Sequence, residues 1–166
     1  MISFVPLRQC LATAVLLLTL ALQYTGCGEK EEPDPPSAAS AIAEGDDICA
    51  EAQAELEELR ADEPRTPEDA ARLTEGVLAT YEQELAELDA LPVPADLEDE
   101  LDRYLSARER ALVPLHEGLE AARAGDAEDY ARAQAEAAAG QVERTQLARQ
   151  VGFRECSLPA GGIPPG

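Results

Sequence analysis

Tryptophan is absent from this chain of 166 residues, and histidine occurs once. Aromatic residues make up only 4%, four Tyr and two Phe, so any core has to be built mostly of Leu and Ala. Basic residues are scarce as well. The chain has 13 Lys and Arg against 34 Asp and Glu, a formal charge of −21. Nucleic-acid binding rests on cationic contacts to phosphate, so that class is disfavoured. Flat docking on an anionic lipid surface is disfavoured for the same reason. The acidity fits a solvated surface that resists aggregation. The lone histidine removes the di-iron bundles, which need Glu-x-x-His pairs on facing helices. No P-loop, Gly-x-Ser-x-Gly elbow, EF-hand loop or dinucleotide fingerprint occurs. The acidic run "DLEDELD" at 96–102 lacks the turning loop that gathers oxygens around Ca²⁺. These absences point away from catalysis and imply no metal and no cofactor.

The N-terminus carries the clearest positive signal. Arg8 is its one charge, and "LATAVLLLTLALQ" at 11–23 is almost wholly apolar. That pattern matches a secretory signal. It is short of the roughly 20 apolar residues that a spanning helix needs. The run ends in "YTGC", which resembles a bacterial lipobox at Thr25, Gly26 and Cys27, with Tyr24 where Leu is preferred. The expectation is a signal peptide over 1–26, and an acyl-modified (palmitate-type) Cys27 that moors the protein in the lipid bilayer on the extracytoplasmic face of the cell membrane. One acyl chain holds only marginally, whereas two or three on one cysteine hold firmly. If 26 of the 166 residues are removed, 140 remain, about one domain. The segment that follows, "GEKEEPDPPSAASAIAEG", has proline, acid and small residues and little to bury. It reads as a disordered tether, with 27–45 as lipidated cysteine and spacer. The tail 157–166, "SLPAGGIPPG", reads as frayed.

Between 46 and 156 the sequence reads as helix throughout. Ala, Glu, Leu, Arg and Gln dominate, and all are good helix formers. The first helix is expected from Asp46 or Asp47 as cap, with Cys49, Ala52, Leu56 and Leu59 on one face. "TPED" opens the second: Thr66 as N-cap, Pro67 at the first helical position, Asp69 at the capping-box position. Its stripe is Ala70, Leu73, Val77, Tyr81, Glu84 or Leu85, Leu88 and Leu91. The third is expected over 95–124, ended by Gly125. Asp126 caps a fourth over 127–153, whose small residues ("AQAEAAAGQ") permit close approach. Outward pairs are expected at Glu68–Arg72, Asp99–Arg103 and Glu128–Arg132. Four helices with short breaks give an all-α fold, an antiparallel up-down-up-down four-helix bundle.

Two cysteines remain after Cys10 and Cys27. In that topology Cys49 and Cys156 lie at the same end of neighbouring helices, so a disulfide between them is expected. Closing a loop of about 100 residues stabilises by roughly 4.7 kcal/mol in the chain-entropy model. A redox pair or metal thiolates fit poorly, since there is no CxxC and no nearby histidine.

Three residues stand out as candidate ligand contacts. His116 sits two residues from Pro114, which should loosen the third helix. Arg108 and Arg144 fall where Leu is expected. They either snorkel, pair with an inward acid such as Glu84, or contact a ligand.

The layout as a whole resembles small uncharacterised helical lipoproteins of actinobacterial type. The resemblance rests on the lipobox, the acidic tether, "ICAEAQAELEEL" at 48–59, "LDALPVPADL" at 88–97, the turn at 121–126 and the closing "GFREC" at 152–156. It implies an extracytoplasmic, lipid-tethered bundle and carries no activity. Two functions follow as expectations. One is a cell-envelope interaction module with an envelope protein as partner. The other is a small-molecule binder, taking a cationic or amphipathic ligand between the third and fourth helices near Pro114, His116 and Gly140.

Overall fold

A computed structural model describes residues 37–158, and every regular element among them is helical. The helices are α1 (Ala38–Leu59), α2 (Pro67–Asp89), α3 (Ala95–Ala124), α4 (Ala127–Ala139) and α5 (Gln141–Val151), followed by a 3₁₀ turn (Glu155–Ser157). The expected signal peptide, Cys10, the expected acylation site Cys27, the expected tether through residue 36 and the residues from 159 lie outside the described residues. Local chemistry sets most of the boundaries. Thr66 and Asp69 form a reciprocal capping box ahead of Pro67. Gly125 ends α3 at φ 71°, a left-handed conformation in which a side chain would be strained. The Asp126 carboxylate then accepts the amides of Glu128 and Asp129 and starts α4. α3 runs unbroken through Pro114.

Three expectations about boundaries are corrected. α1 starts at Ala38, not at 46, so residues 38–45 belong to the helix and not to a disordered tether. Ser37 and Ser40 cap one another there. The composition is poor in large apolar groups, but Ala41 and Gly45 are buried, and Phe153 packs where a Gly45 side chain would sit. Asp46 is not a cap for α1. Its carboxylate accepts the amides of Arg154 and Glu155, at 2.8 and 2.9 Å, and so holds the 3₁₀ turn from across the fold. The expected fourth helix is two helices, broken at Gly140. The Arg144 guanidinium folds back over Gly140 and donates to the Ala137 carbonyl at 3.0 Å, in the space a side chain at 140 would need. Finally, Ser157 is buried, so the C-terminal tail begins later than 157.

Exposed ion pairs form with a different spacing from the one expected. Arg72, Arg103 and Arg132 each reach the acid three residues back (Asp69, Glu100 and Asp129) and not the one four back. Both spacings share a helix face, and exposed pairs contribute at most about 1 kcal/mol either way.

α1 packs on α2, α2 on α3, and α3 on both α4 and α5; the 3₁₀ turn rests on α1 and α5. The buried apolar residues form two clusters. One gathers Cys49, Leu88, Leu91, Leu101, Tyr104, Leu105, Ala148, Val151 and Phe153. The other gathers Leu56, Val77, Leu78, Leu115 and Leu119. Tyr104 and Phe153 meet edge to face, with ring centroids 5.9 Å apart. Gly118 of α3 lies against Ala133 of α4, so the small residues do allow a close approach.

Cys49 and Cys156 are disulfide-bonded, with their Cα atoms 5.1 Å apart across 107 positions of sequence. Cys49 lies about three turns into α1, because the helix extends back to Ala38. The bond, the Asp46 carboxylate and Phe153 together fasten residues 153–156 to the first half of α1. Cys156→Ala is expected to lower unfolding stability by about 2–5 kcal/mol, read by urea denaturation under non-reducing conditions. An unchanged midpoint would contradict this role.

Candidate functional site

The boundary between the two apolar clusters is polar. On α2, Glu84 sits between Leu78 and Leu88; on α3, Arg108 sits between Leu105 and Leu115. Both charges point inward and form an ion pair, with side chains 5% and 16% exposed. Of the two residues offered for this position of the stripe, Glu84 is the buried one and Leu85 is half-buried. The rhythm Val77, Tyr81, Glu84, Leu88, Leu91 keeps a three-and-four spacing, which puts position 84 on the inner face. Arg108 also lies over the Tyr81 ring, 4.8 Å from its centroid, a cation–π contact.

The electrostatics of this pair are uneven. Glu84 Oε2 accepts from Arg108. Glu84 Oε1 lies 3.3 Å from Cys49 Sγ. That sulfur is in a disulfide and has no hydrogen to donate, so no described residue supplies Oε1 with a donor. Burial pushes the Glu84 carboxyl above the ordinary carboxylate range, although Arg108 pulls the other way. Burial also opposes the charge on Arg108, but Glu84, Tyr104 and Tyr81 outweigh it and hold that group above its usual value. Glu84 would be lowered if the ion pair dominated it; on the acid, burial outweighs that pull. Tyr104 is buried nearby, with no hydrogen-bond partner for its hydroxyl among the described residues, and burial pushes its pKa up to about 12.

Beside this layer lies a cavity of about 320 Å³. It opens between α2, α3, α4 and α5. Its walls are Leu73 and Val77 of α2, Leu112 and Leu115 of α3, and Ala137 and Ala138 of α4. Tyr81, Tyr130, Gln134 and Gln141 add polar edges. Tyr130 and Thr74 hydroxyls, 3.3 Å apart, link α4 to α2. Small side chains on α4 let the helix come close at Ala133 and leave free volume one turn later at Ala137 and Ala138.

Of the three candidate contacts, Arg108 and Arg144 line this cavity. His116 does not line it. It lies exposed on the outer face of α3, its Nε2 3.2 Å from Glu82 Oε1. Arg144 donates to Gln141 Oε1 and to the Ala137 carbonyl, both neutral acceptors, at 3.0 Å. Burial, and then repulsion from Arg108, hold its pKa below the ordinary arginine value. Arg60 at the end of α1 completes the cationic lining. Sequence reasoning missed Tyr130, Gln134 and Arg60. Tyr130 had a usable signal: it stands three and seven residues before Ala133 and Ala137, on one helix face, with a hydroxyl that needs a partner. Arg60 sits at a helix end, where nothing in the local pattern points inward.

Among the described residues, no group of three or more His, Cys, Asp or Glu could hold a metal ion. No described helix is long and apolar enough to cross a membrane. Compared with protein-family models, curated proteins and solved structures, the chain gives no significant match.

The unevenness of the pair has a pH consequence. Between the ordinary carboxylate range and its raised value, Glu84 is protonated in the folded chain and ionised in the unfolded one. Its contribution to stability is therefore full below that window and declines as pH rises through it. Glu84→Gln removes this decline, so the melting temperature of the variant, relative to wild type, should rise with pH across the window. A variant that loses ground as pH rises would show that Arg108 controls Glu84 more strongly than burial does.

Proposed function

We propose that this protein is a lipid-tethered, extracytoplasmic helical module that works by binding and not by catalysis. In this reading the signal peptide is removed before Cys27, the acylated cysteine sits in the bilayer, and the domain stands off the cell membrane in the envelope. The observation that carries the reading is the Cys49–Cys156 disulfide. Such bonds persist in oxidising compartments and are rare in the cytosol. The strong net negative charge agrees with a domain that does not lie flat on anionic lipid. In the same proposal the helices run up-down-up-down, with α4 and α5 together as the fourth rod. Short connections at 90–94 and 125–126, and the packing of successive helices, support that arrangement. The likeness to small actinobacterial-type helical lipoproteins belongs to this proposal as well.

An envelope protein is the first kind of partner in this reading. The cavity beside Arg108 favours a second: a small molecule held within the helices. A volume of about 320 Å³ is at the lower end of ligand-sized cavities, and the mix of apolar walls with a few fixed polar groups is usual for them. The site lies among α2, α3, α4 and α5, near Gly140 but away from His116.

Intact mass of the protein extracted from a lipoprotein-processing bacterium tests the tether. The expected mass begins at Cys27 and includes acyl chains, and Cys27→Ser leaves the membrane fraction. A full-length, unacylated mass in the membrane fraction would overturn it.

A further inference from the structure

The charges that meet at the cavity run against those of the whole molecule. Acids outnumber bases 34 to 13 in the chain, yet the charged residues lining the cavity are Arg60, Arg108 and Arg144, with no carboxylate among them. Glu84 lies behind Arg108 and satisfies that one guanidinium. Among the described residues Arg144 donates to the Ala137 carbonyl and the Gln141 amide oxygen and forms no ion pair. So one positive charge faces an apolar, half-enclosed space with neutral acceptors. An arginine fork in such a place is matched to a planar, two-oxygen anion, which can take two parallel hydrogen bonds. The aliphatic part of the lining, Leu73, Val77, Leu112 and Leu115, belongs to a single apolar cluster. A cation is a poor occupant, because Arg144 and Arg60 repel it and no carboxylate of the lining offsets them.

We infer that the cavity binds a single-tailed amphipathic carboxylate, with its head on Arg144 and its tail along Leu73, Val77, Leu112 and Leu115. This rests on the small-molecule reading above, and of the cationic or amphipathic ligands expected from sequence it takes the amphipathic one and gives its head a negative charge. Arg60, at the exposed end of α1, adds positive potential that draws the anion in. Arg108 contributes little attraction of its own because Glu84 neutralises it. Arg108 lines the cavity and lies over the Tyr81 ring. The ligand is small: the volume suits a medium-length chain and excludes a two-tailed lipid held whole.

Calorimetric titration of the full-length protein below the micellar range tests this, with three probes of equal tail length: decanoate, decyltrimethylammonium and decanol. Decanoate should bind saturably at one site and more tightly than the other two. Arg144→Gln should weaken it by about tenfold or more, the usual weight of a charge-assisted contact. Arg144→Lys should keep part of the affinity, since the charge remains and only the fork is lost. Ala137→Leu, which fills the cavity, should abolish binding while the thermal melt shows a folded protein. If the cationic probe binds as tightly as decanoate, the ligand class is wrong and the small-molecule reading stands. If none of the three binds saturably, both fail. Unchanged decanoate affinity in a folded Arg144→Gln would also overturn the assignment.

Discussion

A carboxylate and a guanidinium occupy the middle of the core, and the rest of the interior is arranged around them. Glu84 and Arg108 stand at inward positions of α2 and α3, where a Leu/Ala core would place leucine. Burying charge is expensive unless it is paired and hydrogen-bonded, so the two have to meet. Their meeting divides the apolar interior into one cluster around Tyr104 and Phe153 and another around Val77 and Leu119. It also keeps leucine side chains from closing the space beside Tyr81. The cavity is a consequence of that layer, widened by alanine on α4.

The second constraint acts at the end of the chain. Cys156, Phe153 and the amides of Arg154 and Glu155 all attach to α1, at Cys49, Gly45 and Asp46. Three different interactions converge on four residues: a covalent bond, close apolar packing and a charge-assisted cap. α5 leads directly into this clasp, so Arg144 is carried on a helix whose far end is fixed. The disulfide sulfur also forms part of the wall of the polar layer, 3.3 Å from Glu84 Oε1. Clasp and site are therefore in contact, and a group that serves stability at the clasp helps set the electrostatics at the site.

What could be read from the sequence was mostly what short-range chemistry decides. Thr66, Pro67 and Asp69 name the start of α2, and Gly125 with Asp126 names the turn between α3 and α4, because caps depend on neighbours within four residues. The disulfide was legible from helix order and two remaining cysteines. The start of α1 was not. Residues 38–45 have the composition of a spacer, and they are helical because Phe153 and Gly152, more than a hundred positions away, pack on them. Asp46 was misassigned for the same reason: its amide partners are distant in sequence. The break at Gly140 depends on where the Arg144 side chain turns back, which periodicity does not encode. The site was half legible. Arg108 and Arg144 drew notice as charges on an apolar stripe, whereas His116 drew notice only by being single, and it lies on the outer surface. The pairing of Arg108 was left open in the sequence because its acid comes from another helix, which only the three-dimensional arrangement brings to it.

A polar layer of this kind is kept either because it stabilises the fold or because it shapes a site, and the two differ in sign. Isosteric apolar residues in place of a buried ion pair are commonly neutral or stabilising, and Glu84, with one oxygen unsatisfied, is a poor source of stability. The direct measurement is the unfolding free energy of the double variant Glu84→Leu/Arg108→Leu at neutral pH, taken with its decanoate affinity. The expected result is a protein at least as stable as wild type that has lost its cavity and its affinity. A double variant that folds, binds as before and is several kcal/mol less stable, roughly the weight of a broken buried network, would show that the pair exists to hold the fold and not to make the site.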